Sequence, residues 1–471
     1  MKNILISIKI LVVFVLLASC SDSYLDVNED PNNPVTVSPN LILPVALNYS
    51  AVIEERDRGQ NHLGNMFMAN WSQSDGFSWY TDEFAYQVTP SFYARIFDYT
   101  YGSVLKQYHG LETLEGEENG NYKAIAKIMK SLHFQILVDT YGDIPYSEAL
   151  LRGENPTPVY DDAQTVYEGV MNDLSDAIEL INTTSAISGA VIPGDDDGIF
   201  GGDMDMWKTF ANTVKLRMLV RQSDMAGRGG YIQAEFDKIA AEGSGFMNDD
   251  VLINIGYNNT TNQQNRKWGD FGQDVSGSNR LTNDATCATP WVLNKLSTTN
   301  DGRLDYLFEE PATGHLGVDQ GINDYDIPVV DQFIPANVSN IGPGLLVGPT
   351  QSSVIYTAAE SYLNRAEAAL KGYIASDAKA MYEAGVQASF DYLGAGDATT
   401  YLNQSFQNVG YDNSANKQEA IIVQKWIATM GINALQSWFD YSRTGFPSDV
   451  PVSLKASTPD RPVRLFYPSS E

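Results

Sequence analysis

Residues 358–394 read AAESYLNRAEAALKGYIASDAKAMYEAGVQASFDYLG, and their punctuation writes two helices back to back. Gly372 closes the first at Lys371, as the residue type that takes a left-handed backbone at a helix end. Asp377 opens the second after the short link 372–376, offering a side-chain oxygen to unpaired first-turn amides. Ala358, Ala359, Ala366, Ala368, Ala369, Ala378, Ala380, Ala384 and Ala388 are small enough to let the two backbones approach closely. The spacing predicts an αα-hairpin over 353–393.

The same periodicity recurs upstream and downstream. Helices are predicted at about 91–114, 120–141, 161–183, 203–224, 229–242, 284–297, 351–372, 376–393 and 415–436. An earlier helix starts at Ser38 as N-cap, with Pro39 in the first turn and Leu41, Val45, Ala46, Tyr49 and Val52/Ile53 at helical spacing. Gly142, with Pro145 beyond it, stops the 120–141 helix, which pairs with 161–183 as a second hairpin. Such alanine-rich pairs resemble tetratricopeptide units in fold, although the consensus positions of that repeat are not matched. Strand-like runs are few: 251–255, 327–330 and 345–347. The expected fold is mostly α, a tetratricopeptide-like αα-hairpin scaffold with a few short strands. Long irregular loops lie at 71–90, 184–202, 256–283 and 309–350, the last two inside a loop-rich region of about 250–350. Long aromatic loops on a helical scaffold suit a binding protein.

The chain begins MKNILISIKILVVFVLLASC. A basic start, an apolar run from Ile4 to Leu17 and the small residues of Leu17-Ala18-Ser19-Cys20 make a lipoprotein signal, with Cys20 as the lipidated new N-terminus. The run falls short of the roughly 20 apolar residues of a membrane span and contains Lys9. The organisation expected is a signal peptide at 1–19, an acidic lipidated tether at 20–37 and a binding domain at 38–471. That domain exceeds the roughly 250–300 residues at which single cores stop growing, so two subdomains or an extended repeat are expected.

Thirty basic against 59 acidic residues give a formal charge of −29, which disfavours nucleic acid and anionic headgroups as partners. Hydrophobic residues at 43% and charged residues at 19% mark a folded chain. With Cys20 acylated, Cys287 is the one cysteine left; no intramolecular disulfide is possible, and a buried structural thiol is expected.

Several segments carry a family resemblance. They are IIVQKWIA at 421–428, QSWFDYSRTGFP at 436–447, PVRLFYP at 462–468, LVDTYGDIPY at 137–146, the helix 360–372 and Asp301-Gly302-Arg303-Leu304. In order and spacing they resemble the SusD/RagB outer-membrane lipoproteins, in particular the SusD-like subgroup. Gly302 departs from the proline more usual between that Asp and Arg. The resemblance implies a non-catalytic surface lipoprotein with a tetratricopeptide-like half and a more irregular half. It would capture oligosaccharides, or peptides, as the lid of a SusC-type TonB-dependent transporter. Asp22 and Asp26, just after Cys20, fit the acidic signal that routes such proteins to the cell surface. Read physically, the motifs are structural: Trp426, Trp438 and Phe439 face a core, Arg443 makes a buried or capping ion pair, and Asp143 caps backbone.

Sugar rings stack on aromatic faces, and their hydroxyls need amides, carboxylates or arginine. Two loops supply both, WSQSDGFSWYTDE at 71–83 and the stretch from Tyr257 to Arg280. Phe77, Trp79, Tyr80, Tyr257, Asn258, Trp268 and Arg280 are the candidate ligand contacts, with Trp79, Tyr80 and Trp268 expected to be exposed. Trp71, following Leu63 and Phe67, is expected in the core. No catalytic residues, cofactor or resident metal are expected. His62, His109, His133 and His315 share no ligand spacing, and His133 sits on an apolar helix face. Asp195-Asp196-Asp197 and Asp203/Asp205 offer hard oxygens for calcium but lack the twelve-position loop, and a solvated acidic loop is expected there. Two other readings are a surface glycosidase, which needs two carboxylates about 5–9.5 Å apart, and a scaffold binding only proteins.

Overall fold

The computed structural model describes residues 37–322 and 331–471; Cys20, Asp22, Asp26 and the strand expected at 327–330 lie outside them. Paired helices dominate. Gly120–Tyr141 packs along Ala163–Thr184, and Ala358–Leu370 along Ala378–Leu393. In the second hairpin a Cβ on Gly385 would meet Leu363 Cγ at 2.7 Å, so glycine at that position sets the close approach. Met204–Arg221 touches both pairs and is buried on every side from Phe210 to Val220, which is why its sequence carries no one-sided apolar stripe. Asp162, Asp203, Thr357 and Asp377 cap their helices as acceptors for first-turn amides.

Three two-stranded antiparallel ribbons tie distant loops to this scaffold: Trp71–Gln73 with Thr286–Ala288, Ile144–Pro145 with Tyr160–Asp161, and Val251–Ile253 with Ser353–Tyr356. They correct several expected boundaries. The helix predicted at 284–297 is interrupted by Thr286–Ala288 and restarts as Pro290–Thr298, where the Thr289 side chain accepts from Val292 N. The helix predicted from 351 begins at Ala358, because β-branched and aromatic Val354, Ile355 and Tyr356 pair as a strand instead. The one predicted at 415–436 breaks around Gly431 (φ 69°) into Lys417–Thr429 and Ala434–Thr444. Residues 345–347 form no strand; Leu345 instead packs against Gly431. Trp71 is buried, as expected, but on a strand, since its helix ends at Phe67 and Ala69 turns left-handed (φ 53°). The segment predicted at 91–114 starts at Arg95 and carries a π-turn, Thr100–Leu105, between Arg95–Tyr99 and Lys106–Glu112.

One large core runs through the first helical pair and reaches Ala368 and Leu393 of the second, while a smaller one holds Leu363, Tyr382, Phe390 and Ile421. Trp426, Trp438 and Phe439 are buried in the larger core. Arg443 is the hub of an ion-pair network, 2.7 Å from Glu367, 2.6 Å from Asp224 and 3.2 Å from Asp440. Burial alone would raise the Asp440 carboxyl, but Lys425, Arg221 and Arg443 around it hold it well below the usual range. Arg303 grips Asp301 through a two-toothed fork of 2.9 and 2.7 Å, with Gly302 against the Phe390 ring. Asp143 accepts from Ala163 N at 3.0 Å, and buried His133 meets Ser50 Oγ at 2.8 Å. Cys287 is 1% exposed, and burial pushes its thiol up. Among the described residues no helix is long and apolar enough to cross a membrane.

Candidate functional site

The helix Pro39–Glu55 ends in a tight turn, Arg56-Asp57-Arg58-Gly59. Arg58 is left-handed (φ 52°), and Gly59 lies so near Ile53 O that a Cβ would come within 2.5 Å of it. The turn leaves Arg58 exposed and Arg56 and Asp57 half-buried, beside the two loops singled out by sequence. Arg58 Nη2 donates to Trp79 O at 2.9 Å, and Asp57 N donates to Asp270 Oδ2 at 2.8 Å. Facing them are Arg95, Asp98 and Tyr99, on the stretch that leads into the π-turn, a helix irregularity frequent at functional sites. Together these walls enclose an open cleft of about 690 Å³.

Electrostatics distinguish this cleft. Arg56 Nε reaches only its neighbour's carbonyl, Asp57 O, at 3.3 Å. Burial, followed by repulsion from Arg95 and Arg266, pushes the Arg56 guanidinium down. Burial alone would lower Arg58 too, but Glu83, 3.7 Å away, and Asp57 hold it up. Arg266 is clamped to Asp270 at 2.8 Å. Burial, with Tyr49 edge-on at 5.6 Å, raises the Tyr99 phenol.

The structure separates the seven predicted contacts. Phe77 and Trp79 come together, half-buried, with rings edge to face at 4.9 Å. Gln73 shapes their loop, donating to Phe77 O and accepting from Trp79 N at 2.6 Å. Tyr80 is a correction: it is 1% exposed, its hydroxyl 2.9 Å from Thr286 Oγ1 and its ring beside His62, so it serves the core. Tyr257 is half-buried and meets Ser353 Oγ at 3.1 Å. Asn258 donates to Gln263 Oε1 at 2.6 Å within its own turn. Trp268, expected to be exposed, is half-buried, its indole lying over Gly272, where a Cβ would come within 2.6 Å of the ring. Arg280 is half-buried, and its charge adds to the Ser276 and Ser278 hydrogen bonds that lower the half-buried Asp274 carboxyl. Sequence reasoning missed Arg56, Arg58, Arg95 and Tyr99. The available signal was an Arg-Asp-Arg triplet at a helix end in an acidic chain.

The acidic loops are used locally. Asp197 accepts from Trp207 Nε1 at 2.8 Å and from Gly202 N at 3.0 Å; Asp196 accepts from the Tyr122 hydroxyl at 2.8 Å; Asp203 caps its helix. Elsewhere Asp305, Glu310 and His315 bring potential metal-ligand atoms within 4.8 Å of one another. There His315 already bonds Asp305 Oδ1 through Nε2, at 3.0 Å, and Ser339 Oγ through Nδ1, at 2.9 Å.

Comparison with known families decides the affiliation. A SusD-like family described as starch-binding and associating with the outer membrane matches residues 31–468. The chain belongs to this SusD/RagB family. Its members are binding proteins of the outer membrane, not hydrolases. Among solved structures, one described as a chitin-binding protein aligns with TM-score 0.73 and 24% identity, over 92% of this chain and 93% of its own. A SusD homologue from Bacteroides vulgatus aligns with TM-score 0.73 and 24% identity, over 91% of each chain. A chitin-binding SusD homologue from Flavobacterium johnsoniae gives 0.71 and 22%, over 89% of this chain and 88% of its own. These likenesses establish the mostly helical, tetratricopeptide-like fold. No curated protein matches the chain.

Proposed function

We propose that this protein captures oligosaccharides at the cell surface and hands them to a SusC-type TonB-dependent transporter, without chemistry of its own. Cys20 would carry the lipid that holds it on the outer membrane. One observation carries the ligand reading: the half-buried Phe77–Trp79 pair sits on a loop whose backbone is pinned by Arg58, itself a wall of an open cleft with forked donors. Aromatic faces take the C–H side of a sugar, and guanidinium forks take its hydroxyls. Two chitin-binding relatives of the same fold make saccharide the first ligand class to try. An open cleft of this kind suits capture followed by release. A panel of chito- and malto-oligosaccharides tests this, with affinity read by calorimetry and new reducing ends assayed in parallel. Saturable binding without new ends is expected; sustained release of cleaved product would overturn the reading.

A further inference from the structure

Most arginines in this acidic chain that lie near a carboxylate are paired with it: Arg217 with Glu360, Arg221 with Asp139, Arg228 with Glu168, Arg303 with Asp301, Arg443 with Glu367. The cleft is different. Among the described residues, neither Arg56 nor Arg95 stands within ion-pair distance of a carboxylate, and both line the cleft close enough for Arg95 to repel the Arg56 charge. Arg266 adds a further repulsion on Arg56, which its partner Asp270 opposes. The acids nearby are engaged elsewhere: Asp270 with Arg266 and Asp57 N, Asp98 with Ser470 Oγ at 2.7 Å, Glu83 with Arg58 and the Tyr93 hydroxyl. Asp57 is shared between Arg58, at 4.0 Å, and His62, at 3.9 Å. The cleft lining thus carries three arginines, Arg56, Arg58 and Arg95, against the two acids Asp57 and Asp98, a local positive excess in a chain of 59 acids that suits an anion.

We infer that the Arg56–Arg95 cleft is an anion subsite that selects acidic saccharides, binding a ring carboxylate or sulfate ester while Phe77 and Trp79 take the adjoining sugar. Two guanidinium forks match the planar or tetrahedral oxygens of such a group. At physiological salt, exposed charges more than about 8 Å from the cleft are largely screened, so the residues lining it govern the bound state. The inference rests on the saccharide reading above and narrows it.

Calorimetry on the full chain in detergent tests it, with trigalacturonate, its neutral methyl ester and a sulfated disaccharide as probes. An acidic sugar, carboxylated or sulfated, should bind about tenfold or more tighter than the neutral ester. Whichever acid binds tighter identifies the anion. The R56Q/R95Q variant should erase that preference with its melting temperature unchanged; the single R95Q, at an exposed side chain, should weaken it and serves if the double variant does not fold. Equal affinity for ester and acid would overturn this inference and leave saccharide capture standing. Binding of no saccharide, neutral or acidic, would overturn both. A preference that survives in folded R56Q/R95Q would overturn the placement, and pentaglutamate bound as tightly as trigalacturonate would overturn the saccharide occupant.

Discussion

Glu54 sits wholly inside the core beside Glu55, with one carboxylate oxygen unpaired. Burial first, and Glu55 second, push its carboxyl from 4.5 up to about 8, while Lys267 and Arg217 pull the other way. Between those two values the folded chain holds a proton that the unfolded chain has released, so stability falls as pH rises through the window. Glu54→Gln should therefore leave the melting temperature nearly unchanged at pH 5 and raise it at pH 8.5. Equal shifts at both pH values would contradict this. Arg443 works in the opposite sense, because its removal strands Glu367 without water or a partner guanidinium. Arg443→Ala should cost about 3–5 kcal/mol in urea denaturation. Tyr80 shows why the residue scale was only partly legible. Its surroundings in sequence are polar and glycine-bearing, and the Thr286 that buries it lies 206 positions away. Arg443 was legible because the acids it needs are frequent on the helices around it.

The helices were readable wherever one face repeats at helical spacing and a capping residue marks each end, as in 358–394 and 120–141. The short strands were not. Trp71–Gln73 and Thr286–Ala288 are three residues each and acquire meaning only when paired across more than two hundred positions. Close approach between elements leaves a sharper mark on glycines. A Cβ on Gly64 would lie 2.1 Å from the Ala434 carbonyl carbon, so the helices Gln60–Phe67 and Ala434–Thr444 touch there backbone to backbone. Gly64→Ala should destabilise by about 3 kcal/mol or more, since backbone on both sides must move. Gly102, in the π-turn, has nothing within 4 Å of a new Cβ. Gly102→Ala should be neutral or stabilise by about 0.5–1 kcal/mol, read in the same thermal melts. A large loss there would show that the π-turn itself depends on glycine.

At the scale of the whole molecule, a rigid helical scaffold carries irregular loops, and the turn after its first described helix brings two of them to one cleft. Fold and family were legible because they depend on periodicity and on motifs spread along the chain. The candidate site was legible in part: Trp79 and Phe77, beside the cleft, announce themselves as aromatics in a polar loop, whereas Arg56 and Arg95, which line it, come together only through folding. The central claim is that ligand is captured by the Phe77–Trp79 pair, on the loop that Arg58 pins beside this cleft. Calorimetric titration of Trp79→Ala against the wild-type chain, with one oligosaccharide that the wild type binds, tests it most directly. Affinity should fall by about tenfold in a variant that still melts cooperatively, with at most a modest drop in melting temperature because Trp79 also packs against the core. Wild-type affinity in a folded Trp79→Ala variant would contradict it.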